Sequence, residues 1–124
     1  GPGQITKSPM SAVIGIFENQ FYNNKPLTVV MPGTQKRDFT HINDIVRGCY
    51  LAWKKGKQKE YMLGTKKTYT ILQIARMFGG KIKFLPQRPG DRFSSTMINN
   101  NAQKILGYYA KESIKNYIKN IVSN

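Results

Sequence analysis

Two short stretches place arginines beside acids: KRDFTHINDI at residues 36–45 and QRPGDRF at residues 87–93. A planar guanidinium fork matches phosphate oxygens, and hydrogen bonds to a charged partner contribute ~1.5–3 kcal/mol each. Arg37 and Arg88 both fall where a strand meets a turn, the usual place for groups that read a ligand. Gly90 lets the backbone pass close to a ligand or take a positive φ. Asp91 is placed to aim the neighbouring guanidinium or to accept from a sugar hydroxyl. The same residues also read as local ion pairs, Arg37 with Asp44 and Arg88 with Asp91, pinning turns at ~0–1 kcal/mol each. Spacing alone leaves both readings open.

Other reactive groups are few. The chain has one histidine, His41, and one cysteine, Cys49, so no zinc site of the usual kind can be assembled. Cys49 falls on the apolar face of a predicted helix, which favours buried packing over pairing with His41 as a nucleophile. His41, at a strand end, reads as structural. No G-x-G-x-x-G turn or P-loop follows any strand, so the chain has no cradle of its own for a dinucleotide or triphosphate. Anion recognition is therefore expected, and catalysis by this chain alone is not.

The elements that must position these groups alternate. Ser8-Pro9 reads as the start of a helix carrying Met10, Val13, Ile14, Phe17 and Phe21 inward, stopped near Asn23. LTVVMPG reads as a buried strand closed by a turn, and RDFTH as a second strand. A helix follows over 43–55, with Ile45, Cys49, Ala52 and Trp53 on one face. EYMLG reads as a strand, Thr70 and Gln73 as a capping box opening a helix that Gly79-Gly80 stops, and KIKFLP as another strand. The loop 86–96 is long enough to be functional. Short helices over 100–106 and 112–122 complete an α/β pattern.

At 124 residues the chain is one domain or part of one, and 40% hydrophobic content is too high for disorder. The start lacks a signal peptide and the apolar runs are too short for a membrane span, so a cytoplasmic protein is expected. A net charge of +14 raises nucleic acid as an alternative partner. That reading, a basic nucleic-acid-binding module, requires steeply salt-dependent binding to random duplex. However, fifteen of the twenty basic residues are lysines scattered along the chain, a pattern that A/T-rich codons also produce.

The order of motifs resembles the C-terminal, substrate-binding portion of an extended short-chain dehydrogenase/reductase (Rossmann-type) fold. The family is that of the NAD-dependent nucleotide-sugar epimerases and dehydratases, and the likeness is nearest to its UDP-hexose 4-epimerases. GPGQ resembles the end of the family's Y-G-P-x-Q segment. LTVVMPGTQKRDFTHINDI resembles its strand, turn and R-D-[FY]-x-H-V-x-D-[IV] block. EYMLGTKKTYTILQIARMF resembles Y-N-L-G-x-G-x-x-x-S-[IV]-x-E-[IV], FLPQRPGDRF the R-P-G-D loop, and NNNAQKILGY the S-K-A-x-x-x-L-G-[WY] helix. Met62 replaces the family's asparagine, Lys66 its second glycine, and Met97-Ile98 its Ala-Asp pair.

The resemblance implies that residues 1–124 form the nucleotide-sugar-binding domain of a larger enzyme. Thr28, Val29 and Val30 would lie along the base and read its edge through main-chain groups. Arg37 and Arg88 would hold the diphosphate of a UDP-hexose, Asp91 would take the ribose or sugar side of the same loop with Gly90 letting the backbone pass close, and Asp44 would cap the following helix. The acids would orient the arginines. NAD and the Y-x-x-x-K catalytic pair would belong to the half upstream of Gly1. The helix carrying Cys49 and Trp53, with residues 61–64, would pack on that half, and left bare would expose an apolar patch that drives self-association.

Overall fold

The computed structural model describes residues 1–57, 60–90 and 99–124. Its first helix, α1 (Val13–Tyr22), buries Ile14 and Phe17, a helical step apart. The chain then enters β1 (Leu27–Val30), where Leu27 and Val29 are buried and Thr28 and Val30 face the other side. Lys36–Arg37 forms β2, α2 spans Ile42–Lys55, and Tyr69–Thr70 forms β3, antiparallel to β2. Next come α3 (Ile71–Phe78) and β4 (Ile82–Leu85), which runs parallel to β1 with Leu27 opposite Ile82 and Val30 opposite Leu85. A π-helical turn at Ala102–Leu106 and α4 (Ile114–Ser123) complete the α/β fold.

The main core joins α1, β1, α3 and α4 through Phe17, Leu27, Val29, Ile74, Phe78 and Ile118. Phe17 meets Phe78 edge to face at 5.9 Å between ring centres. Gly15 permits a close crossing: a Cβ there would lie 2.3 Å from the carbonyl oxygen of Ile5. A second cluster, Ala102, Leu106 and Tyr108, packs with Leu51 and Ala52 of α2 and with Leu63.

Local signals foretold several boundaries. Thr70 and Gln73 form the expected capping box, each side chain accepting from the other's amide, at 3.0 and 2.8 Å. Gly79 ends α3 at φ +77°, and Gly107 ends the π-helical turn at φ +65°.

Three expectations need correction. The Ser8-Pro9 start of α1 is instead a turn: Ser8 Oγ accepts from Met10 N and Ser11 Oγ from Ser8 N, so the hydroxyls close a local loop and the helix opens at Val13. Met10 is exposed. RDFTH and EYMLG do not form full strands; only Lys36–Arg37 enters a ladder there, and residues 60–64 run outside any ladder. Pairing requires a neighbouring backbone, which pattern alone cannot supply. Finally, Cys49 is not packed inward. Of the face expected on α2, Ala52 packs on the second cluster and Ile45 is half-buried, whereas Trp53 is bare, as expected of a face left for another part of the fold. Asp44 and Gly48 are buried, while Cys49 and Trp53 are exposed. The close seat of Gly48 on Leu63, where a Cβ would come within 2.6 Å, sets that rotation.

Candidate functional site

A cleft of about 470 Å³ opens beside β1. Its wall combines Thr28 and Val30 from β1 with Gln35, Arg37 and Phe39 from the next segment and Arg88 beyond β4. The alternation of β1 decides which residues reach it. Thr28 and Val30 line the cleft, whereas the Val29 side chain is wholly buried in the core. Gly90 is exposed at φ +80°, with nothing within 4 Å of a Cβ built on it, and does not line the cleft. Asp91 lies outside the described residues.

The structure thus brings Arg37 and Arg88 to one cavity from opposite sides of α2 and α3 in the chain. Arg37 donates through Nη1 to the carbonyl of its neighbour Lys36 at 2.8 Å. Arg88 is exposed and has no hydrogen bond or ion pair among the described residues. Neither guanidinium is spent on a described carboxylate.

Asp38 and Asp44 do other work, which corrects the Arg37–Asp44 ion pair and the idea that an acid orients Arg37. The Arg88–Asp91 pair involves a residue outside the described ones. Asp38 accepts from the amides of Thr65, at 2.9 Å, and Lys66, at 3.2 Å, and from the Thr65 hydroxyl, so it fixes the 65–67 turn. Asp44 pairs with Arg47 and accepts from the amides of Lys111 and Glu112, at 3.0 and 2.9 Å. Asp44 is therefore a tie between α2 and the approach to α4. The cap of α2 is His41, whose Nδ1 accepts from Asn43 N at 3.0 Å. Burial pushes the Asp44 carboxyl upward, but the two amides and the Arg47 guanidinium outweigh it and hold the group below the ordinary carboxylate value.

Two glutamines that motif reading passed over cover the open edge of β1. Gln20 of α1 accepts from Thr28 N at 3.0 Å and donates to Thr28 Oγ1 at 2.8 Å. Gln35 donates through Nε2 to the carbonyl of Val30 at 3.3 Å. The Thr28 amide and the Val30 carbonyl, expected to read a base edge, are thus already engaged. The available signal was position: Gln35 stands two residues before Arg37.

A smaller cavity of about 230 Å³ is lined in part by Gln4, His41 and Tyr117. Its polar groups are locked together, because Tyr117 donates to Glu18, which also accepts from Gln4 Nε2 at 3.0 Å. Burial and the bond to Glu18 push the Tyr117 phenol well above its ordinary value, so it stays protonated. Among the described residues no three His, Cys, Asp or Glu side chains gather as a metal site. None of the described strands leads through a glycine-rich turn onto a helix N-terminus, the usual cradle for a dinucleotide pyrophosphate. No helix of the described residues is long and apolar enough to cross a membrane.

Comparison with known proteins gives a consistent match. The model of the NAD dependent epimerase/dehydratase family matches residues 1–64. The UDP-glucuronate 4-epimerase of Thermodesulfobacterium geofontis is 32% identical over 114 residues, 86% of this chain and 35% of that protein. A UDP-glucose 4-epimerase of Cyamopsis tetragonoloba is 32% identical over 67% of this chain and 27% of its own length. Among solved structures, the UDP-glucose 4-epimerase of Thermotoga maritima, determined with UDP-glucose, superposes with a TM-score of 0.89 at 25% identity. That match covers 99% of this chain and 41% of the other. The chain spans 24–35% of the length of the curated relatives it matches.

Proposed function

Because the chain belongs to the NAD dependent epimerase/dehydratase family, we propose that it is the nucleotide-sugar-binding part of such an enzyme, of the UDP-glucose 4-epimerase kind. Residues 1–124 act as that C-terminal domain and hold the diphosphate of a UDP-hexose between Arg37 and Arg88. The observation that carries this reading is the shared cleft, which Arg37 and Arg88 both line from distant parts of the chain. Asp38 lines it too, but accepts from Thr65 and Lys66 and forms no ion pair with either arginine among the described residues.

In the complete enzyme NAD supplies oxidation and reduction at the sugar. This chain contributes binding and orientation: the arginines fix the charged end, and β1 with its glutamine cover sets where the nucleoside rests. The exposed, unpaired thiol of Cys49 suits a reducing compartment, and we place the enzyme in the cytoplasm.

An NMR titration of the 124-residue chain with UDP and UDP-hexoses tests the reading. Signals of Arg37 and Arg88 are expected to move together. Arg37→Ala and Arg88→Ala are each expected to weaken UDP by about tenfold, the lower end for a charge-assisted hydrogen bond at an open site. No response at millimolar ligand, or an affinity in both variants equal to that of the unaltered chain, removes the site.

A further inference from the structure

The sheet formed by β1 and β4 has one edge sealed and one open. In its register, Leu27 N donates to the Lys81 carbonyl at 2.7 Å and Met31 N to the Leu85 carbonyl at 2.8 Å. A parallel ladder turns the main-chain groups of alternate residues to opposite sides, so Lys83 and Leu85 face β1 while Ile82 and Phe84 face away. On β1 the outward groups are covered, because Gln20 takes the Thr28 amide and Gln35 the Val30 carbonyl. Nothing among the described residues does the same for β4: no group bonds the Ile82 or Phe84 main chain. Their amides and carbonyls form a bare edge of the kind that another strand pairs with.

The side chains define which strand fits. Ile82 and Phe84 share one face of β4, where Ile82 packs on the main core and Phe84 is left 48% exposed. Lys81 and Lys83 share the other face; both are exposed, and neither pairs with a described carboxylate. A second β4 would set lysines against lysines across the new ladder, on a chain that already carries +14, so the edge disfavours another copy. An acidic strand meets the same lysines with opposite charge. We propose that the outer edge of β4 takes an extended acidic segment of a partner protein by strand addition. Alternate residues of that segment place carboxylates beside Lys81 and Lys83 and apolar side chains beside Phe84. The site uses the edge of β4 that faces away from β1 and does not depend on the diphosphate reading.

Amide hydrogen exchange on the 124-residue chain, with a blocked peptide of alternating glutamate and valine as the probe, tests the site. In the free chain the Ile82 and Phe84 amides are expected to exchange faster than those of Lys83 and Leu85. Saturating peptide is expected to slow Ile82 and Phe84 by about fivefold or more, and the same peptide N-methylated at alternate residues to give no protection. Lys81→Glu combined with Lys83→Glu is expected to weaken the peptide by about fivefold and to favour a lysine–valine peptide instead. Where that variant fails to fold, comparing the two peptides on the unaltered chain still decides. No protection of Ile82 and Phe84 at millimolar peptide, or equal protection by the acidic and basic peptides, overturns the proposal. Protection that appears without peptide as the chain is concentrated identifies a second copy as the occupant and overturns it as well.

Discussion

Lys66 occupies a left-handed conformation, φ +62°, that a glycine would adopt without strain. A side chain there costs about 1 kcal/mol against the following carbonyl. The offset is local: Asp38 accepts from the Lys66 and Thr65 amides and from the Thr65 hydroxyl, holding the turn in the strained geometry. Lys66→Gly is therefore expected to raise stability by about 0.5–1 kcal/mol, part of the relief being lost to the greater freedom of glycine when unfolded. Asp38→Ala should do the opposite and cost about 2 kcal/mol, since it strands several donors at once. Urea denaturation of both variants decides; a Lys66→Gly midpoint at or below the parent's means that the conformation is not strained.

Among the elements, α2 depends most on a contact distant in sequence. Asp44, in its first turn, ties the helix to the amides of Lys111 and Glu112. Its folded value is depressed below the ordinary 3.8, so its contribution is complete above that value and is lost as pH falls through the lower folded value. Asp44→Asn is expected to cost about 2 kcal/mol near neutrality and progressively less toward about pH 2. A penalty independent of pH over that range would contradict the tie. The same contact shows what sequence could reveal. The Thr70–Gln73 box and the stops at Gly79 and Gly107 depend on neighbours within a few residues and were legible. The burial expected for Cys49 was misread because Asp44 and Gly48, tied to Lys111 and Glu112 and seated on Leu63, take the inward positions. At the cleft, Arg37 and Arg88 were legible as motifs, but Gln20 and Gln35 were not, since their roles exist only once β1 has an open edge to cover.

At the scale of the molecule, opposite forces meet on α2. Ile42, Val46, Tyr50 and Trp53 follow one another at helical spacing and are all exposed, Trp53 at 81%. An apolar stripe of this kind favours association, and a second copy of the chain offers an identical one. Lys54 and Lys55 end the same helix, and the whole chain carries +14. Copies therefore repel one another until salt shortens the reach of that charge to about 10 Å at 0.1 M. Association is expected to strengthen with added salt, the reverse of nucleic-acid binding, which weakens as counterions compete. Light scattering across a salt series thus separates the two behaviours of a basic chain. Val46→Lys combined with Trp53→Lys interrupts the stripe at exposed positions and should keep the chain monomeric at every salt concentration without lowering its stability by more than about 0.5 kcal/mol. A parent chain that stays monomeric at high concentration and high salt would show that the stripe does not drive self-association.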